Sequence, residues 1–121
     1  MENDFQKLLT GIKKYRGITD DSRKVKNRYI FVAIKGLTSD GHKFIVQSRK
    51  NGAKVVVGER GSVDIKVQNA RRALSLLASA FYGYPSKKMK IIGVTGTDGK
   101  TTTATLIYWI LKSSGIKTGL V

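Results

Sequence analysis

The chain has 121 residues, no cysteine, one proline and a net charge of +15 from 23 basic and 8 acidic side chains. A hydrophobic content of 40% marks a folded chain. The missing thiols exclude disulfides and thiolate metal sites, and no apolar run approaches the length of a membrane span. The N-terminus Met1-Glu2-Asn3-Asp4 is acidic and has no apolar stretch of the leader-peptide kind, so a cytoplasmic chain is expected. The positive charge attracts polyanions, but the basic pairs Lys13-Lys14, Arg71-Arg72 and Lys87-Lys88 are scattered and carry no recognition motif. A solvated surface is the better reading, with no specific nucleic acid as partner.

Asn3 as N-cap, Gln6 at the capping-box position and Phe5, Leu8 and Leu9 on one side predict a short helix over 3–9. Gly11 and Gly17 bracket a connection. Ile18 to Ser22 reads as a brief strand entering the polar corner Asp20-Asp21-Ser22-Arg23-Lys24, where Asp21-Ser22 is also readable as plain turn chemistry. Tyr29 to Ile34 is a stronger strand, almost wholly β-branched and aromatic. The loop Gly36-Leu37-Thr38-Ser39-Asp40-Gly41-His42 follows, then a helix from about Lys43 to Lys50, stopped by Asn51-Gly52. Asp40 is read as a helix-capping group and His42, the only histidine, as a loop or cap residue instead of a base.

Ala53 to Gly58 reads as a strand buried on both faces, and Val63, Ile65 and Val67 alternate as a half-exposed strand does. Asn69 is placed to cap the longest predicted helix, in which Ala70, Ala73, Leu74, Leu77, Ala78 and Phe81 recur at helical spacing up to Gly83. Tyr84-Pro85-Ser86-Lys87-Lys88 then reads as a linker. Strands alternating with helices imply an α/β fold with a mostly parallel sheet.

The strongest motif is Ile91-Ile92-Gly93-Val94-Thr95-Gly96-Thr97-Asp98-Gly99-Lys100-Thr101-Thr102-Thr103. A β-branched run, a turn with two glycines, Lys-Thr and a helix predicted over Thr102–Ser114 together make a P-loop. Glycines let backbone N–H groups face phosphate oxygens, and the helix N-terminus adds unpaired donors. Lys100 supplies charge for the β- and γ-phosphates, and the Thr101 hydroxyl is placed to hold Mg²⁺. The spacing departs from the strict pattern, since Val94 stands where a glycine is usual and Gly93 lies one residue earlier. Leu106, Ile107, Ile110 and Leu111 share one helix face, Tyr108 and Trp109 read as packing residues, and Gly119-Leu120-Val121 begins another strand. The plainer alternative is a glycine turn with an incidental Lys-Thr after it.

Asp21-Ser22-Arg23-Lys24-Val25, Phe31 to Gly36, Asp40-Gly41-His42-Lys43-Phe44-Ile45 and Gly52-Ala53 resemble the N-terminal domain of the Mur ligase family. Phe81 to Ser86 followed by Ile91 to Thr103 resembles the way that family's chain passes into its central ATPase domain, and the order and spacing fit the MurE type best. The resemblance implies residues 1–87 as a small α/β domain that binds the UDP-muramoyl substrate. It implies residues 88–121 as the first strand–P-loop–helix unit of an ATP-binding domain, so that the chain is an N-terminal piece of a larger enzyme.

Carried over by position, Gly96, Thr97, Asp98, Gly99, Lys100, Thr101 and Thr102 form the ATP loop, with Lys100 catalytic and Thr101 near Mg²⁺. Asp98 replaces the family's usual Asn and sets a negative charge by the phosphates. Ser22, Leu37, Thr38 and Ser39 correspond to contacts with the UDP group. Asn27-Arg28-Tyr29 departs from the family's Pro-Gly-Asp.

The implied activity is an ATP-dependent, ADP-forming ligation. It joins a diamino acid, lysine or diaminopimelate, to a UDP-N-acetylmuramoyl dipeptide through an acyl phosphate. The implied protein is a monomer with ATP and Mg²⁺ as cofactors and no membrane partner. Two other readings stand beside it, the MurF type, which shares several motifs, and a non-catalytic nucleotide-binding module. Alone, residues 1–87 are expected to fold, with 88–121 marginal because the P-loop strand would lack parallel neighbours.

Overall fold

The computed structural model describes residues 2–121, which form two compact units, one running to Lys88 and the other from Met89 to Val121. In the first, strands β1 (Gly17–Thr19), β2 (Tyr29–Ala33), β3 (Ala53–Gly58) and β4 (Ile65–Lys66) lie side by side in chain order, every pair parallel. Three helices flank them: α1 (Glu2–Thr10), α2 (Ile45–Lys50) and α3 (Ala70–Phe81).

Side chains alternate across a strand, so β2 divides its apolar residues between two cores. Ile30 and Val32 join Val57 of β3 beneath α1 and α3, packed against Leu8, Ala70, Ala73, Leu77 and Ala80. Phe31 and Ala33 join Val56 on the other face, against Ile45 of α2 and Val25 of the β1–β2 connection. Thus β2 and the second half of β3 are buried on both sides, the reason their sequences read as nearly continuous apolar runs. The small residues at 70, 73 and 80 let α3 lie close to the sheet, and Leu77 fills the space between them. Leu77 is fully buried, and truncating such a side chain to Ala costs about 2–5 kcal/mol.

Local chemistry fixes the ends of α3. The Asn69 Oδ1 accepts the Arg72 N–H at 2.9 Å, and the Glu59 carboxylate accepts the Ala70 N–H at 2.9 Å. At the far end Gly83 has φ +75°, its N–H donates to Ala80 and the Tyr84 N–H to Ser79, a complete Schellman motif. The second unit holds α4 (Lys100–Ser113), which ends the same way at Gly115 with φ +77°. At 14 residues against 12, α4 and not α3 is the longest helix.

The structure corrects several sequence expectations. Residues 91–94 form no strand, and Ile91 and Ile92 are 70% and 59% exposed. Residues 119–121 form none either. A strand exists only through pairing, and among the described residues nothing pairs with either segment. The brief strand expected over Ile18–Ser22 is Gly17–Thr19, because Asp21 turns the chain into a 3₁₀ helix over Ser22–Lys24 by accepting the Arg23 N–H. The expected alternation over 63–67 yields only the two residues of β4. The Asp64 carboxylate takes the Val56 N–H at 2.7 Å, a place a strand carbonyl would otherwise fill. Asn3 lies inside α1 and is not its cap.

Candidate functional site

In a parallel sheet the strands' carboxyl ends gather at one edge, and the loops leaving them are the natural ligand-binding positions. Here the loops after β1 and β2, with the first turn of α3, border an open cleft of about 420 Å³ lined by Asp20, Asp21, Ser22, Arg23, Ile34, Gly36, Ser39, Gly41, Phe44 and Arg71. Ile34 and Phe44 supply apolar surface, and two serines, two arginines and two aspartates supply the polar part. Such a lining suits a ligand with a flat ring and an anionic tail.

Asp21 organises the β1 side. One carboxylate oxygen accepts both the Arg23 backbone N–H at 3.0 Å and its Nε at 2.9 Å, and the other accepts Nη2 at 2.8 Å. These bonds from Arg23 hold the Asp21 carboxyl down at about 2. Ser22 follows, buried, its carbonyl accepting the Asn51 Nδ2 at 2.8 Å. Among the described residues its hydroxyl has no partner and is free for a ligand.

On the β2 side the chain folds back on itself. Lys35 bridges Asp40, the Gly36 N–H donates to Ser39 at 2.8 Å, and the Gly41 N–H donates to Ile34 at 2.9 Å. A Cβ on Gly41 would lie 2.8 Å from the Ile34 carbonyl oxygen, so only glycine allows this closure.

The closed loop is pinned from below by His42. Its Nε2 accepts the Glu59 N–H at 3.1 Å and therefore carries no proton; its Nδ1 lies 2.7 Å from Asp40 and donates to it. His42 and Arg60 hold the Asp40 carboxyl well below the usual carboxylate range, and Asp40 also accepts the His42 N–H. With both ring nitrogens occupied, His42 is a structural anchor, and Asp40 is the cap its sequence position suggests.

The glycine loop of the second unit has its own geometry. Gly99, at φ +70°, precedes α4 and leaves the helix without a side-chain cap. The first-turn amides of Lys100, Thr101 and Thr102 have no intrahelical acceptor. Lys100 Nζ folds back onto the Gly96 carbonyl at 2.6 Å, with Thr97 at 3.4 Å, and all of 95–103 is exposed. Unspent amides and a lysine on a backbone tether fit an incoming phosphate.

The structure thus separates the residues singled out from sequence. Ser22 and Ser39 line the cleft, whereas Leu37 and Thr38 sit exposed at the loop tip. Residues 96–99 form a loop and 100–102 the first turn of α4, contiguous in the other unit. Sequence reading missed Arg71, which reaches from α3 to the Lys35 carbonyl, and Phe44. Arg71 stood in a basic pair that looked like ordinary surface; its place two residues after the Asn69 cap, on the first turn of α3, was the available signal.

Comparison with known proteins places these features. The family pattern described as "Mur ligase family, catalytic domain" matches residues 14–82, the stretch that holds all four strands, α3 and the cleft. A UDP-N-acetylmuramoyl-L-alanyl-D-glutamate–2,6-diaminopimelate ligase of Bacillus velezensis is 46% identical across 100% of this chain, which spans 24% of that protein. Its namesake in Clostridium tetani is 47% identical over 84% of this chain and 23% of its own length. Among solved structures, the MurF ligase of Thermotoga maritima in complex with ADP superposes with TM-score 0.64 and 33% identity, over 84% of this chain and 24% of that one. MurF of Acinetobacter baumannii gives 0.63 and 29%, over 88% and 27%. The chain therefore spans about a quarter of the length of the curated relatives it matches.

Proposed function

The chain belongs to the Mur ligase family, and we propose that it is the N-terminal, substrate-binding portion of the ligase that adds the third, diamino acid residue to UDP-N-acetylmuramoyl-L-Ala-D-Glu. The observation that carries this reading is the 46% identity, over the whole chain, to a relative named for that reaction with diaminopimelate. Identity to the two solved MurF ligases above is 33% and 29%, which favours the MurE type over the next ligase of the series.

In this reading residues 1–87 bind the UDP-muramoyl substrate, with Ser22, Leu37, Thr38 and Ser39 on its UDP group, and residues 88–121 begin the ATP-binding domain. The D-glutamyl carboxylate accepts the γ-phosphoryl group of ATP to give an acyl phosphate. The amine of diaminopimelate or lysine attacks the acyl carbon, and amide, phosphate and ADP result. Lys100 leaves the Gly96 carbonyl for the phosphates, whose developing charge it offsets. The Gly96–Thr102 amides orient them, and Asp98 adds one opposing charge.

Mg²⁺ would neutralise phosphate charge. Among the described residues no cluster of His, Asp or Glu is formed that could hold a metal by itself, so Thr101 and phosphate oxygens would be its ligands here. A cytoplasmic location accords with soluble nucleotide substrates, and among the described residues no helix is long and apolar enough to cross a membrane.

Calorimetry of the 121-residue chain with UDP-N-acetylmuramoyl-L-Ala-D-Glu tests the reading, with saturable one-to-one binding expected and absence of binding contradicting it. Supplied also with ATP, Mg²⁺ and diaminopimelate, the same chain forms no tripeptide, since Asp98 is the only acidic side chain between 89 and 121. Tripeptide with stoichiometric phosphate would overturn the fragment reading.

A further inference from the structure

We infer that Arg71 is the residue that grips the diphosphate of a UDP ligand in the cleft, a specificity-determining role that rests on the substrate reading above and names one residue behind it. Two guanidinium groups line the cleft, Arg23 and Arg71. Arg23 is already engaged, its Nε and Nη2 on the two oxygens of Asp21 at 2.9 and 2.8 Å, so its fork and its charge are committed. Arg71 is not. It extends from the first turn of α3 to the Lys35 carbonyl, and that one contact, at 3.4 Å from Nη2, is longer than a good hydrogen bond. Among the described residues this is the guanidinium's only hydrogen bond, and its other donors are unspent.

Charge balance points the same way. Asp20 and Asp21 both line the cleft. Arg23 answers Asp21, which leaves the exposed Asp20 as an uncompensated negative charge on the path of an anionic ligand. A diphosphate entering beside it needs a cation inside the lining, and Arg71 is the one whose donors are available. A planar guanidinium meets two phosphate oxygens at once, which an ammonium does not. Arg71 is tethered at the carbonyl just before the Gly36–Gly41 loop, so it stands between that loop and α3. Ser22 and Ser39 line the same cleft and are left for the remainder of the nucleotide.

The test compares the 121-residue chain with R71A, R71K and R72A, using calorimetry with UDP and ligand-observed NMR with uridine at fixed ionic strength. Affinity for UDP is expected to fall about 10- to 100-fold in R71A, the scale of hydrogen bonds to a charged group, with R71K intermediate. R72A removes the same charge one residue further on, outside the cleft lining, and is expected to stay within about twofold of wild type. Uridine is expected to bind R71A and the parent alike. Unchanged UDP affinity in R71A would overturn the inference while leaving the substrate reading standing, and so would equal losses in R71A and R72A. An equal loss of uridine and UDP in R71A would show a loop-holding role instead and also overturn it. A parent chain that binds no UDP would remove the substrate reading itself.

Discussion

Substituting Gly41 by alanine probes the closure on which the cleft depends. The added Cβ would stand 2.8 Å from the Ile34 carbonyl oxygen and 2.9 Å from its nitrogen, both backbone atoms, with the Ala33 Cα at 3.4 Å. Ile34 directly follows β2, which is paired on both sides, so the strand is the fixed partner and the loop is the part that moves. Moving it sacrifices the Gly41–Ile34 hydrogen bond and strains the Lys35–Asp40 bridge. Overpacking of this kind costs about 1–3 kcal/mol and the hydrogen bond about 1 more, so a loss of about 2–4 kcal/mol is expected. For a unit of this size that lowers the thermal midpoint by roughly 10–25 °C. Thermal unfolding by circular dichroism measures the shift, and calorimetry with UDP measures the damage to the cleft. A G41A chain with an unchanged midpoint and unchanged UDP affinity would refute both the closure and its role.

In a full-length ligase carrying these residues, K100A is expected to abolish ATP turnover, because no other side chain brings a positive charge into the glycine loop; wild-type turnover would remove the P-loop assignment. Replacing Ser22 and Thr38 together by alanine is expected to weaken binding of the UDP-muramoyl dipeptide by about 1–3 kcal/mol, the scale of two neutral hydrogen bonds, and calorimetry with equal affinities would move the site elsewhere. Acid sensitivity follows from Asp21, held at about 2 in the folded chain by Arg23 against about 3.9 when unfolded. Its stabilising contribution is complete above the unfolded value and is lost as pH falls towards 2, so the thermal midpoint drops across that window. Asp40, also depressed, adds in the same direction. D21N is expected to drop less steeply between pH 4 and 2, and parallel curves for the two proteins would contradict the pairing.

What the sequence disclosed, and what it concealed, divides by the range of the interaction. Patterns of β-branched residues located β2 and β3, and Asn69 and Gly83 marked helix ends, because caps act over three or four residues. The 91–94 run carries the same β-branched signal as β2 yet forms no strand, since pairing needs a partner the pattern cannot supply. On α4, Leu106, Trp109 and Ile110 are more than half exposed, as expected for a second unit that covers its own apolar surface incompletely. In the cleft, Ser22 was legible from its motif, and the capping role of Asp40 from its residue type in the loop before a predicted helix. Arg71 was not, because its contact with Lys35 spans 36 positions and only the fold brings α3 to the end of β2. The shortening of β4 was equally hidden, since nothing local announces that Asp64 will spend its carboxylate on Val56.

The claim at the centre of this account is that the edge formed after β1 and β2 binds the UDP end of a muramoyl substrate. Backbone amide shifts of the isotopically labelled 121-residue chain, titrated with UDP-N-acetylmuramoyl-L-Ala-D-Glu, test it most directly. Saturable shifts are predicted at residues 20–23, 36–41 and 70–72, with residues 96–102 unmoved until ATP is added. No saturable shift, or a response to the muramoyl ligand centred on 96–102, would contradict it.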